Sequence, residues 1–395
     1  MAGLRVAVLG GSIAGLNAAV ALRDAGCDVD VYERSSRTLA GFGTGIVVQP
    51  ELVRYFLERT DIGLDRISVG SKGMQYYGPT QENLLGTADR SWHFTSYNAL
   101  YQGLLASFGT DRYHLGMTFD RFEGELDSSE TKVVFESGET VSADLVVCAD
   151  GAMSRARRQL FDTGPQYAGY VTWRGLVEQN DVESDTWNFF DDFFTYGLLP
   201  DSHLITYPIP TISSELQVTG RRLNWQWYWN TEGDADLDLM LTDINGVRQP
   251  LTVHNHVLPG TTLERLVTRA EAQLGPHFRN LVMASPAPFV TIVADCDVPA
   301  MHRGRIVLVG DAGVTPRPHA AAGAAKAAAD GWELAEAIKA NPDDVDAAIA
   351  AWEPRQLRRA RGYLSKVRRM AAALQHGGAF EPGDPENYFG LPDPS

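Results

Sequence analysis

The stretch RVAVLGGSIAGLNAAVALRDAG, residues 5–26, passes from a short apolar run through a turn marked by Gly10, Ser12 and Gly15 into a segment of small residues. Leu4–Leu9 reads as a strand. Ala14–Ala25 carries helical spacing at Leu16, Ala19, Val20 and Leu22 and stops at Gly26, after which Val29–Glu33 reads as a second strand. Both connections are short, as a doubly wound sheet requires. Gly10 serves the tight turn and Gly15 the close packing of helix on strand. Between them a small residue is needed, because a pyrophosphate must approach the backbone N–H groups at the helix start. Ser12 takes up one CH₂OH of that room, and its hydroxyl is able to bond a phosphate oxygen. Glu33 closes the second strand, where an acidic side chain accepts bonds from an adenosine ribose. NAD and FAD satisfy such a loop equally well.

Composition narrows the function classes. The 395 residues are 44% hydrophobic, enough to bury a large core in two closely joined units. A formal charge of −16 repels a phosphodiester backbone, so no nucleic acid is expected as a partner. Cys27, Cys148 and Cys296 are widely separated, which predicts neither a disulfide framework nor a metal site. No basic leader precedes the first strand, and no segment supplies the roughly 18 uninterrupted apolar residues of a membrane span. A cytoplasmic protein with no membrane contact is expected.

Two later apolar runs, 144–149 (DLVVCA) and 305–309 (RIVLV), each end in an acid and a glycine. Between them the texture turns aromatic and alternating: YVTWRGLV (170–177), FFTYGLLP (193–200), HLITYPIP (203–210) and LNWQWYWN (223–230). Such alternation predicts antiparallel strands, with Trp225, Trp227 and Trp229 on one face and Gln226, Tyr228 and Asn230 on the other. The tryptophans suit core or subunit packing as well as ligand contact. Thr262–Leu274, 320–340 and 345–374 read as helices. The last carries Arg355, Arg358, Arg359, Arg361, Arg368 and Arg369, read as a solvated or inter-subunit face. From Gly377 the chain lacks periodicity and reads as a loose or partner-embracing tail.

CADGAMSRAR (148–157) presents Asp150, Gly151, Ser154 and Arg157, and VGDAGVTPRPHAAAGAAKAAAD (309–330) presents Gly310, Asp311, Pro318, Gly323 and Asp330. With the first loop, these resemble the three fingerprints of the single-component flavoprotein aromatic hydroxylases, the family of para-hydroxybenzoate hydroxylase. The resemblance covers residues 1–49, 96–160 and 290–340. The wording GGSIAGL, TSYNALYQGLL, VTWRGLV and TPRPHAAAGAAKAAAD is similar to the branch acting on dihydroxypyridines in bacterial nicotine breakdown, in which Ser12 is at home.

The resemblance implies an α/β fold. A Rossmann-like FAD-binding domain would span 1–68, 96–165 and 280–340, and a mainly antiparallel β-sheet substrate domain 69–95 and 166–279, followed by a C-terminal helix and tail over 341–395. It implies that FAD is held by Gly10, Ser12, Ile13, Ala14, Gly15, Glu33, Arg34, Val48, Gln102, Asp150, Gly151, Gly310, Asp311, Ala321, Ala322 and Gly323. Asp311 would bond the ribityl chain, and a helix beginning after Pro318 would face the flavin ring, its N-terminus favouring negative charge there. Arg157 would form a local salt bridge or steer NADH or NADPH, which has no nucleotide fold of its own. Departures stand at Gly313, Val314, Ala321 and Ala325, and at Tyr97, where the family often has a phosphate-binding arginine.

The implied reaction inserts one atom of O₂ into a small electron-rich aromatic ring through a flavin C4a-hydroperoxide, in a chamber walled by the aromatic strands; the Arg-rich final helix and those strands point to a homodimer. A ring of this kind is activated when its hydroxyl loses a proton, and a base of near-neutral pKa helps. His319, beside the expected flavin, is one candidate and equally a helix-start hydrogen bonder. His203 and Tyr207 share a strand face, to pin a diol or to serve structure. If His319 deprotonates substrate, its loss lowers turnover more at pH 6 than at pH 9. Competing readings are an FAD-dependent reductase or dehydrogenase, a hydroxylase of another phenol such as a salicylate, and a non-enzymatic FAD-binding protein. A halogenase signature begins at Trp225-Gln226-Trp227 and fails at Trp229-Asn230.

Overall fold

A computed structural model describes residues 3–40, 44–80, 83–213 and 215–392. The opening stretch forms the strand Arg5–Leu9 and the helix Ile13–Asp24, and the chain returns as the strand Asp28–Glu33 parallel to the first. These belong to a six-stranded sheet in the order His302–Arg303, Ile306–Leu308, Leu145–Cys148, Arg5–Leu9, Asp28–Glu33, Tyr113–Leu115. The pairings are parallel except at the His302–Arg303 edge. Val8, Val31, Val146 and Val307 are buried, as expected of a parallel sheet covered on both faces. Gly331, in the helix Gly323–Ala340, lies against the Ala18 backbone, so this helix packs directly on Ile13–Asp24.

The aromatic segments form an eight-stranded, mostly antiparallel sheet. Its order is Thr252–Val253, Phe289–Asp295, Gln166–Glu178, Val218–Asn230, Ser202–Ile212, Phe193–Leu199, Gly73–Tyr77, Leu84–Ala88. The two readings of its tryptophans are separated here. Trp225, Trp227 and Trp229 pack with Trp173, Leu266, Phe278 and Leu281 into a core beneath the helices Gly260–Gln273 and Pro276–Met283. The opposite face, carrying Arg174, Ile205, Tyr207 and Gln226, borders a cavity. Phe289–Asp295 differs from the expected division at residue 280: its Val290 pairs with Trp173 and is buried in the same core, so the chain revisits the antiparallel sheet before its last parallel strand.

The helix Val345–Gln375 packs on the helix Gly323–Ala340 and on the strands Ser202–Ile212 and Val218–Asn230 of the antiparallel sheet, and its arginines are largely engaged within the chain. Arg355 pairs with Glu333 at 3.3 Å, Arg361 with Asp297 at 3.2 Å and Arg368 with Asp295 at 2.6 Å. The tail also departs from expectation. It folds back on its own chain, with Phe389 buried beside Phe194 and Trp92, and Phe380 beside Tyr76 and Tyr196. These rings bury apolar area that a free tail would leave in water; residues 393–395 lie outside the described part. Among the described residues, no helix is long and apolar enough to cross a membrane.

Candidate active site

Two cavities meet where the parallel sheet faces the antiparallel one. The larger, about 620 Å³, runs past Gly10, Glu33, Arg34, Asp150 and Arg158. The second, about 430 Å³, is bordered by Ile13, Ala14, Asp311, His319, Ala321 and Gly323 on one side and by Arg174, Phe194, Tyr207, Gln226 and Phe389 on the other. Ser12, Ala149 and Gly151 border both, so the glycine loop forms the neck between them. Each volume is within the roughly 300–1,000 Å³ usual for a small-molecule site.

The loop is built for close approach. Gly10 has φ +103°, and a Cβ there would run into the Ala149 carbonyl; a Cβ on Gly15 would strike the Gly10 carbonyl oxygen. Gly15 therefore shapes the loop from behind and does not border either cavity. The Ser12 hydroxyl is 2.8 Å from the Tyr97 hydroxyl, at the neck. Glu33 is already engaged: its two oxygens accept from the Gly11 and Ser35 N–H groups, each at 2.8 Å. A carboxylate retains lone pairs beyond these two bonds. Asp150 accepts from the N–H groups of Arg155 at 2.8 Å and Ala156 at 3.2 Å, capping the helix Arg155–Phe161, while its Oδ1 is buried without a partner.

Arg157 corrects one expectation. It is fully buried, and its guanidinium donates to the carbonyls of Ala152, Thr163, Asp311 and Ala312, so it braces the Gly310–Asp311 turn and is closed to a nicotinamide donor. Burial lowers its pKa. Gly310, at φ +58°, donates to Asp330 at 2.9 Å and accepts from Lys326 at 2.7 Å. The turn thereby presents Asp311 to the cavity. Burial raises the Asp311 pKa, with Lys326 and Arg157 acting in the opposite direction.

After the single turn Pro318–Ala320, Ala321 adopts φ +49° and the helix Gly323–Ala340 begins, with Gly323, Ala324 and Ala327 at the cavity wall. The first N–H groups of a helix lack intrahelical partners and favour negative charge. Ala322 is set back: buried, with its N–H donated to the Tyr363 hydroxyl at 2.8 Å. Val48 likewise stands behind Val47, its N–H bonded to the His93 carbonyl at 2.8 Å. Gln102 borders neither cavity, yet its Oε1 is buried without a partner.

Among the catalytic candidates, His319 and Tyr207 reach the cavity and His203 does not. His203 is buried beyond it, stacked on Tyr228 at 4.2 Å and joined through Nδ1 to Gln375 at 2.6 Å, which makes it a packing residue. Tyr207 donates to the Gly45 carbonyl at 2.9 Å. His319 pairs through Nε2 with the Tyr170 hydroxyl at 2.7 Å, while Nδ1 is buried without a partner. Burial, then the adjacent Arg317, pushes its pKa down to about 3. The imidazole is therefore neutral at ordinary pH and a weak base, better suited to holding a hydrogen bond than to removing a ring proton.

Sequence reading passed over Arg174, Gln226, Tyr170 and Thr44. Arg174 and Gln226 are cross-strand neighbours, and Gln226 is in turn opposite Ile205. Arg174 is 3.4 Å from the Thr44 hydroxyl, and its Nε is buried without a partner. A signal existed: Arg174 is the lone charge in YVTWRGLV, and an unpaired charge on a buried strand is costly unless something binds it.

The open polar atoms fit a dinucleotide cofactor of FAD size. Asp311 faces the ring-sized cavity, unpartnered oxygens remain on Asp150 and Gln102, and the close-packed glycine loop lies between the two chambers. The sequence pattern of the FAD binding domain-like family matches residues 167–295. The chain belongs to the single-component FAD-dependent aromatic hydroxylases. It is 50% identical over 389 residues to the 2,6-dihydroxypyridine 3-monooxygenase of Paenarthrobacter nicotinovorans, with 98% of this chain and 96% of that protein covered. The solved 2,6-dihydroxypyridine-3-hydroxylase of Arthrobacter nicotinovorans superposes with a TM-score of 0.94 at 48% identity, covering 99% of this chain and 98% of that one. A Klebsiella pneumoniae protein solved with FAD and uric acid shares the fold at TM-score 0.75 and 23% identity, over 94% and 89% of the two chains. The chain is thus a flavoprotein monooxygenase that uses FAD, a reduced nicotinamide and O₂ to hydroxylate an aromatic ring. The reductase and non-enzymatic readings fall away.

Proposed function

We propose that the substrate is 2,6-dihydroxypyridine and the product 2,3,6-trihydroxypyridine. The reaction consumes NADH or NADPH, one proton and O₂, and releases the oxidised nicotinamide and water. The observation that carries this reading is Arg174: a cation with a free, buried Nε on an otherwise mostly apolar wall, suited to the anion of an acidic ring hydroxyl. Gln226, beside it, offers a second polar contact for a diol. When bound, FAD takes electrons from the nicotinamide and supplies the activated oxygen.

The remaining roles belong to the protein. Asp311 holds the ribityl chain, Ser12 and the Ile13–Ala14 backbone take the pyrophosphate, and Glu33 and Arg34 take the adenosine end. His319 keeps a neutral hydrogen bond toward the ring, oriented by Tyr170. Phe194 and Tyr207 exclude water from the reacting face. Three buried, unpaired cysteines support a reducing, cytoplasmic setting. Exposed Leu239, Ile244 and Val247, close together in sequence, support a homodimer, to be checked by light scattering.

Oxygen uptake with NADH and with NADPH across pyridine and benzene diols tests the reading. The expected result is substrate-dependent uptake, greatest with 2,6-dihydroxypyridine, and one hydroxylated product. Greater turnover of a salicylate, or nicotinamide oxidation without ring oxygenation, would overturn it.

A further inference from the structure

One wall of the ring-sized cavity comes from a part of the chain that lies outside all of the nucleotide motifs in sequence. The tail after the helix Val345–Gln375 has little regular structure, yet Phe389 is only 5% exposed and borders the cavity. Two bonds to the residues on either side of it in sequence hold it. The Lys366 ammonium donates to the Tyr388 carbonyl at 2.6 Å, and the Gly390 N–H donates to the Ala320 carbonyl at 3.2 Å, next to His319. The Phe389 ring meets Phe194 edge-on at 4.7 Å, and Phe194 stacks on Tyr207 at 5.0 Å. Phe194 and Tyr207 border the same cavity.

We propose that Phe389 is a substrate-contacting residue that limits the site to a single aromatic ring and keeps water from it. The inference rests on the aromatic-ring reading of this cavity. Its physical basis is that a ring anchored by a neighbouring edge-to-face contact presents a rigid apolar surface at small entropic cost. Cutting Phe389 back opens the cavity toward the tail. Bulkier rings then enter, and water reaches the site. In that event NADH, a proton and O₂ yield the oxidised nicotinamide and H₂O₂, and no ring is hydroxylated.

The test uses FAD-loaded protein carrying Phe389→Ala, Phe389→Leu or Phe389→Trp. Ligand binding is followed by perturbation of the flavin absorbance, together with KM, kcat, product formed per NADH consumed, FAD content and melting temperature. Loss of one aromatic contact corresponds to a roughly 3- to 10-fold weaker Kd for 2,6-dihydroxypyridine. Phe389→Ala is expected to show that weakening and a lower product yield per NADH, to keep its FAD, and to bind the two-ring 2,4-dihydroxyquinoline, which the wild type excludes. Phe389→Trp is expected to weaken one-ring binding by filling the cavity. Wild-type Kd, yield and ring-size limit in the folded variants would overturn the proposal; if Phe389→Ala does not fold, Phe389→Leu and Phe389→Trp decide it by the same measures. If the wild type fails to bind 2,6-dihydroxypyridine, the substrate reading falls, and the ring-size test is run with the one-ring diol that it binds best.

Discussion

The hydroxyls of Ser12 and Tyr97 meet at 2.8 Å, so two departures from the family pattern contact each other. Ser12 stands where a second loop glycine is usual, and Tyr97 where an arginine often binds phosphate. Burial pushes the Tyr97 pKa up to about 12, with the Ser12 bond pulling the other way, so the phenol stays protonated and able to orient the serine. Tyr97→Phe should weaken FAD binding by roughly 2- to 10-fold, the worth of one hydrogen bond, in a fluorescence titration of the apoprotein. An unchanged Kd would mean that the serine needs no partner.

Asp311 presents its carboxylate to the cavity from a turn braced by Arg157. Replacing it by Ala removes a charged acceptor while leaving the fold, and FAD should bind about 10- to 100-fold more weakly. Full yellow occupancy after purification would contradict the ribityl role.

Lys326 and Asp330 form a fully buried pair, 2.9 Å apart, directly beneath Gly310. Lys326→Met strands a buried carboxylate and should cost about 3–5 kcal/mol of stability. Lys326→Met combined with Asp330→Leu should recover part of that loss in chemical denaturation, because no charge is then left unpaired. A double variant as unstable as the single would show that the bond to Gly310 matters more than the charge.

Arg174→Gln removes the cation facing the ring and keeps a polar group. KM for 2,6-dihydroxypyridine should rise about 10- to 100-fold, with FAD content unchanged, as expected for loss of a charged hydrogen bond. Steady-state kinetics at saturating O₂ measure it; an unchanged KM would move the anion site elsewhere.

His319 has a folded pKa near 3, against an ordinary value of 6.5. Between these values the unfolded chain binds a proton that the folded chain refuses. Stability therefore falls as pH drops from 6.5 toward 3 and is insensitive to this group above 6.5, with a slope of up to about 1.4 kcal/mol per pH unit. Melting temperature should fall less on acidification in His319→Asn than in the wild type. Between pH 6 and 9 the ratio of wild-type to variant hydroxylation should be flat, the reverse of what a titrating base would give.

Much of the architecture was legible because it is written in local period. Strand, glycine turn, helix and strand follow from neighbours within residues 5–33, and alternation in LNWQWYWN defines two faces of a sheet. Periodicity separates faces without naming what covers each one. Packing under the helices at 260–283 buried the tryptophans and turned Gln226 and Arg174 toward the cavity. The same limit explains His203 and Tyr207: one shared face, but only Tyr207 reaches the cavity, because Gln375, 172 positions away from His203, closes over the histidine.

By itself the sequence determined the nucleotide loop, the Gly310–Asp311 turn and the aromatic character of the second sheet, since each depends on residues adjacent in the chain. Only the tertiary structure decided which sheet face meets the cofactor cavity, that Glu33 and Arg157 are engaged by backbone groups, and that the tail supplies Phe389. Those outcomes depend on which distant surfaces exclude water together, and that is settled by packing across the whole chain.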